Sequence, residues 1–359
     1  MRHRTIRTIE TIRTIGSIGT IGTIGSAIAL AFLAVCGIGG CDSKAPELVV
    51  YTALDRQFSE PIFAEFTKRT GIRVRAAYDT EAQKTVGLAN RIRFEKSRPR
   101  CDVFWNNEIL NTILLKDEGL LVASKPAEAA NLPARYRDPD GVWYGFAARA
   151  RVLIVNTDIV HEGERPARVA DLADPKWRGR VAIAKPLFGT TASHAACLFA
   201  TLGDEEAIAL FERIRANDPQ LHAGNKGCAV AVGNGDAAFA LTDTDDAIAE
   251  LDAGKPVAIV YPDSAAGEAG TLLLPNAVAV VGGCDDVENA ARLIDFLLSP
   301  EVEAMLARGH SAQIPLNAKT TERSRLGNLD ALRPMEIDFA RAASAFARAR
   351  EYVEQRFLR

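Results

Sequence analysis

An α/β protein built from two units is the architecture the sequence predicts, and three observations predict it. From Leu48 onward, short β-branched runs alternate with amphipathic runs. The alternation comes as two separate series. Two extended segments, RARVLIVNTD (149–158) and TLLLPNAVAVVGG (271–283), lie between and after the series and are suited to carry the chain from one unit to the other and back.

In the first series LVVYTA is a strand, SEPIFAEFTKRTG a helix, IRVRAAY a strand, 83–96 a helix and DVFW a strand. Strands separated by helices imply parallel pairing. The second series reads RVAIAK, a helix from about Thr191, a helix across DEEAIALFERIRAND, LHAG, a helix near Cys228, AAFAL, a helix after Thr244, and PVAIVY. Helices over 287–298 and 300–308 complete the first unit. A C-terminal helix from about Glu336 carries Phe339, Phe346 and Val353 at intervals of seven, a stripe that predicts docking on the body.

The first forty residues have the layout of an export signal. Arg2, Arg4, Arg7 and Arg13 precede the repeat TIRTIGSIGTIGTIG, the apolar run AIALAFLAV (27–35), and Ile38-Gly39-Gly40-Cys41. That tetrapeptide resembles a bacterial lipobox, which implies cleavage before Cys41, lipid on its thiol, and DSKAPE as a short tether. An uncleaved anchor helix is the alternative. Taking four Arg from 43 basic residues and one Glu from 46 acidic ones leaves a net charge of −6 beyond residue 40. Nucleic acid is therefore not an expected partner. The remaining chain exceeds what one core fills, which again argues for two units. Four cysteines follow Cys41, namely Cys101, Cys197, Cys228 and Cys284, without the spacing of a zinc site.

Several runs carry a family resemblance. Val50-Tyr51-Thr52, CDVFWNNE (101–108), WYGFAARARVLIVNTD (143–158), DLADPKWRGRVAIAKP (171–186), GTTASH (189–194), Gly224-Asn225 and LLSPEVEAMLA (297–307) resemble the periplasmic solute-binding proteins of ABC transporters, in their ferric-iron-transport branch. The resemblance implies a type II periplasmic-binding-protein fold, with residues 41–148 and 271–359 in lobe 1 and 149–270 in lobe 2. It also implies a monomeric lipoprotein of the periplasm that closes on a ligand by hinge bending and delivers it to a membrane permease, without catalysis or resident cofactor.

In open α/β sheets ligands gather beyond the carboxyl ends of the strands. Tyr51 and Thr52 end one strand, and Trp105, Asn106, Asn107 and Glu108 end another. Across the expected cleft stand Gly189-Thr190-Thr191, Asn225, and Thr242-Asp243-Thr244-Asp245. Tyr144 also falls at a cleft position. GTTASH suits an anion, because the first N–H groups of the following helix point at it. Arg149 could add a bidentate partner. In TDTDD, Thr244 reads as an N-cap and Asp245 and Asp246 complement the helix dipole. Asp243 is left over at the strand end, and a ligand contact is the expected use of it.

Here the chain departs from the family's pattern, since adjacent tyrosines commonly hold ferric ion where this chain has TDTDD. Tyr51, Glu108, Asp243 and Asp245 form the candidate oxygen set for a metal, with Fe3+ as the transported ligand placed ahead of a phosphorylated or other anionic organic solute. An exported metal-dependent hydrolase using Asp243, Asp245, Glu108 and His194 is the rival class. From the lobe assignment, Cys101 with Cys284 and Cys197 with Cys228 are the expected disulfides, each within one lobe.

Overall fold

A computed structural model describes residues 45–79, 85–326 and 332–359. They belong to one compact unit beginning at Ala45. The expected signal and Cys41 lie outside the described residues.

The first series forms β1 (Glu47–Thr52), α1 (Arg56–Thr70), β2 (Arg73–Tyr78), α2 (Val86–Phe94), β3 (Val103–Asn106), α3 (Leu110–Asp117) and the short β4 (Leu121–Val122). A long strand, β5 (Trp143–Asn156), follows. The second series is β6 (Val181–Ala184), α4 (Gly189–Leu202), α5 (Asp204–Ala216), β7 (Gln220–His222), α6 (Asn225–Gly233), β8 (Phe239–Asp243), α7 (Thr244–Asp252) and β9 (Val257–Val260). β10 (Leu273–Val281), α8 (Val287–Leu297), α9 (Pro300–Arg308) and α10 (Phe339–Tyr352) complete the chain.

The strands run in the order β2-β1-β3-β10-β5-β8-β6-β7, with β4 on β10 and β9 on β5. β1 pairs in parallel with β2 and β3, and β6 in parallel with β7 and β8. β5 joins the two halves of the sheet. Its residues from Trp143 to Ala150 pair with β10, and those from Arg151 onward pair with β8 and β9. Every residue of β5 and of β10 is buried, as expected of strands covered on both faces.

Where β5 changes partners its backbone is irregular. The register against β10 shifts between Pro275 and Asn276, and Ala147 lies in the left-handed region at φ 43°. The buried Glu303 of α9 accepts from Ala147 N at 2.8 Å, and Asn276 Nδ2 donates to Ala147 O at 2.5 Å. Bulges of this kind re-aim nearby side chains. Two residues later the chain presents Arg149.

The C-terminal helix docks on the body by the stripe the spacing predicts, with Phe339, Phe346 and Val353 all buried, and Tyr352 adds to the contact. Phe339 lies 6.2 Å from Tyr136, and Tyr352 lies 5.9 and 6.1 Å from Phe199 and Phe211. The helix packs chiefly on α4 and also on α3. α10 thus touches elements of both series, because its apolar partners Phe199 and Phe211 belong to the second.

The expected disulfides are not formed. Cys101, Cys197, Cys228 and Cys284 are all free thiols. Cys101 Sγ instead donates to Val103 O at 3.2 Å. Burial raises all four thiols, holding Cys228 and Cys284 at about 12, so they stay protonated in neutral solution.

Candidate functional site

Five helices begin at one cleft. Asp55 caps α1, Asn107 precedes α3, Gly189 opens α4, Gly224 caps α6 and Asp243 caps α7, and all five line a cavity of about 50 Å³. Thr190, Thr191, Asn225, Arg149, Asp245 and Asp246 complete its polar wall, with Phe188, Ala184 and Ala223 as apolar spacers. Each helix start carries roughly half a positive charge. Together, at about 2.5 charges, they match the formal excess of four lining aspartates over Arg149 and the Arg151 behind it. Gly189 adopts φ 59°, a conformation that turns the chain into α4 and that side chains adopt poorly.

Beneath this wall lies a closed polar network. Arg151, wholly buried, donates from Nη1 to Asp243 Oδ1 at 2.7 Å and Thr190 Oγ1 at 3.1 Å, from Nη2 to Thr191 Oγ1 at 3.2 Å, and from Nε to His194 Nδ1 at 3.5 Å. Asp243 Oδ2 accepts from Thr190 Oγ1 at 2.5 Å and Asn225 Nδ2 at 3.1 Å. Thr191 in turn donates to Asn225 Oδ1 at 2.8 Å. Burial would raise the Asp243 carboxyl, but Arg151 and Arg149 outweigh it and hold the group below its ordinary value. Burial and the Arg151 charge depress His194 to about 3, so its ring is neutral and serves as an acceptor.

Arg149 is differently placed. It donates to Asn107 O and, from Nη1, to Asp245 Oδ2 at 3.3 Å. Burial disfavours its charge, yet Asp245, Asp243 and Asp246 together raise its pKa. Its Nε and the Asn107 Oδ1 are buried without a hydrogen-bond partner among the described residues. Both atoms belong to residues of the cavity wall. Buried polar atoms are rarely left unpaired, so the two set this stretch of the wall apart.

The cleft unites Arg149, Gly189, Thr190, Thr191, Asn225, Asp243 and Asp245 of the expected residues. Others go elsewhere. Tyr51 Oη donates to Glu95 Oε2 at 2.9 Å beneath the Arg91 guanidinium, away from the cleft wall, because alternate residues of β1 face opposite sides. Trp105 is core, 5.5 Å from Phe63 and 5.4 Å from Phe146, with its Nε1 on Asn276. Tyr144 Oη bonds Ser124 O, and Thr242 Oγ1 bonds Asn225 O. Thr52 lines a neighbouring hollow that shares Asp55 with the cleft.

Glu108 is not available to a metal or a ligand. Asn106 Nδ2, Asn111 N and Asn111 Nδ2 donate to its Oε1, and Leu110 N and Ser193 Oγ to its Oε2. It therefore caps α3 and ties that helix to α4, occupying Asn106 as well. Thr244 is not the cap of α7 either. Asp243 holds that position, and Thr244 Oγ1 accepts from Ala150 N at 3.3 Å.

Asn107, read from the sequence as ending a strand at the cleft, does line it, whereas Arg151 is the residue of this network that the sequence reading passed over. A signal for Arg151 was present, since Arg149 and Arg151 stand two apart on a strand and so share a face.

A family profile of bacterial extracellular solute-binding proteins matches residues 113–342, and the chain belongs to that family. It is 28% identical over 317 residues to iron uptake protein A1 of Synechocystis, covering 83% of this chain and 86% of that one. It is 25% identical over 288 residues to a periplasmic protein of Salmonella typhimurium named for 2-aminoethylphosphonate binding, covering 77% and 82%. Iron-bound HitA from Pseudomonas aeruginosa superposes with a TM-score of 0.77 at 25% identity over 86% of this chain and 99% of that chain. These relatives are binding proteins, not enzymes, which sets aside the hydrolase. The type II periplasmic-binding-protein fold is likewise that of the solved neighbours.

Proposed function

We propose that this chain is the solute receptor of an ABC importer, and that its cleft receives a small organic solute bearing a phosphate, phosphonate or carboxylate group together with hydroxyl or amine donors. One observation carries the reading: the buried Arg149 guanidinium shares the cavity wall with Thr190, Thr191 and the starts of five helices, and its Nε, like Asn107 Oδ1, has no hydrogen-bond partner among the described residues. The guanidinium and helix ends suit the anionic group. Asp55, Asp245 and Asp246 suit the donors. A cavity of about 50 Å³ accepts the headgroup of such a solute; the rest requires the two halves to part, which hinge opening provides. Release to a permease and a lipid anchor at Cys41 complete the proposal.

Ferric ion is the second reading. It is favoured by Asp243, Asp245 and Asp246, which offer oxygens within 4.8 Å of one another, and by the iron-binding relatives.

Titration calorimetry of the purified protein against aminoalkylphosphonates, sugar phosphates, inorganic phosphate and ferric citrate tests the choice. Saturable binding of a phosphorus-bearing solute is expected, weakened roughly tenfold or more in Arg149→Lys, which keeps the charge but loses Nε and the fork. A response to ferric citrate alone would reverse the two readings.

A further inference from the structure

We propose that Arg151 sets the chemical class of the ligand: its guanidinium is a built-in cation that holds Asp243 and keeps the neighbouring aspartates from enclosing a metal ion. The proposal rests on the reading of the cleft as a receiver of organic anions. It goes beyond that reading by naming the residue that closes the alternative.

The metal geometry is otherwise at hand. Asp243, Asp245 and Asp246 present oxygens within 4.8 Å of one another, and hard cations take carboxylate oxygens from such sets. What stands against it is the use already made of Asp243. Its Oδ1 accepts from Arg151 at 2.7 Å, and its Oδ2 accepts from Thr190 at 2.5 Å and Asn225 at 3.1 Å. A metal ion taking Oδ2 would displace Thr190 or Asn225, and one taking either oxygen would bring a second cation beside a wholly buried guanidinium. Like charges at that separation in a dry site repel strongly.

Arg151 cannot step aside. Three more of its five N–H groups are held by Thr190, Thr191 and His194, the first turn and a half of α4, and no part of it reaches solvent. His194 does not replace it, because the ring is neutral. The same bonds that exclude a metal fix the hydroxyls of Thr190 and Thr191, so the residue that rejects a cation also orders the seat of the anion. Arg151 acts through these neighbours and is a positioning residue.

The test is a gain of function. Wild type, Arg151→Met, Arg151→Gln and the double variant Arg151→Met/Asp243→Asn are titrated with Tb3+, a trivalent oxygen-seeking probe, by calorimetry and by thermal shift. Wild type and the double variant are expected to show no saturable binding. Arg151→Met and Arg151→Gln are expected to bind one Tb3+ saturably, at least roughly 100-fold more tightly than the limit wild type sets, and to melt higher in its presence. Arg151→Gln keeps a neutral donor toward Asp243 and reports where Arg151→Met does not fold; refolding of either that depends on Tb3+ also supports the proposal. Folded Arg151 variants that take no Tb3+, or variants that Tb3+ does not help to refold, overturn it. If those variants fail while wild type binds a phosphorus-bearing solute, the proposal falls and the anion reading stands. Saturable Tb3+ and ferric binding by wild type would sink both.

Discussion

His194 gives the network a measurable dependence on pH. The ring is buried at the first turns of α4, accepts from Arg151, and titrates at about 3 instead of its ordinary 6.5, because burial and then the Arg151 charge oppose protonation. Asp243 pulls the other way and is outweighed. A folded pKa below the unfolded one means that the unfolded chain binds more protons between the two values. Stability from the neutral ring is therefore full above about 6.5 and drains away as pH falls toward 3. With those two values, lowering pH from 7 to 4.5 costs about 2.5 kcal/mol through this residue alone. Carboxylates such as Asp243, held below their ordinary value, add their own loss at still lower pH. Substitution separates the contributions. His194→Asn keeps an acceptor near the Nδ1 position but takes no proton. Urea unfolding of wild type and His194→Asn at half-unit steps from pH 7 to 4.5 should show the wild-type curve falling more steeply, by about 1.4 kcal/mol per pH unit once below 6. Parallel curves would mean that the fold does not depress the His194 pKa, and the account of burial and the Arg151 charge opposing its protonation would be wrong.

Ser193→Ala removes the 2.8 Å bond from α4 to Glu108, which joins the two halves across the cleft. Glu108 keeps its other donors, so melting temperature should change little while solute affinity falls roughly fivefold and small-angle scattering reports a larger radius without ligand; unchanged affinity and radius would show that the bond does not govern closure. Cys41→Ala should leave the protein unlipidated, either soluble or held as a precursor. Detergent-phase partitioning and processing equal to wild type would remove the lipid anchor from the proposal.

What could be read from the sequence follows from how far each signal reaches along the chain. The alternation of strands and helices is local, and it located the helices well; Pro300–Arg308 begins with a capping Ser299 and a proline at its first position, a combination that permits little else. The anion seat at Gly189-Thr190-Thr191 was legible for the same reason, since a glycine, two hydroxyls and a helix start are contiguous. Tyr51 and Trp105 were misplaced because an apolar run in a parallel strand is buried on both faces, and the sequence does not say which face meets the cleft. Asp243 was the harder case. It was singled out as a carboxylate without a partner, and its partner lies 92 residues earlier, on a strand whose pairing with β8 sets Arg151 directly opposite it. Long-range register of that kind is a property of the assembled sheet. The partner matters for function, because a carboxylate expected at a ligand contact already has a cation supplied by the protein itself. The tyrosines expected of an iron cage are missing from TDTDD, and β5 supplies instead two guanidiniums two residues apart, Arg151 behind the wall on Asp243 and Arg149 in the wall with its Nε unpartnered among the described residues.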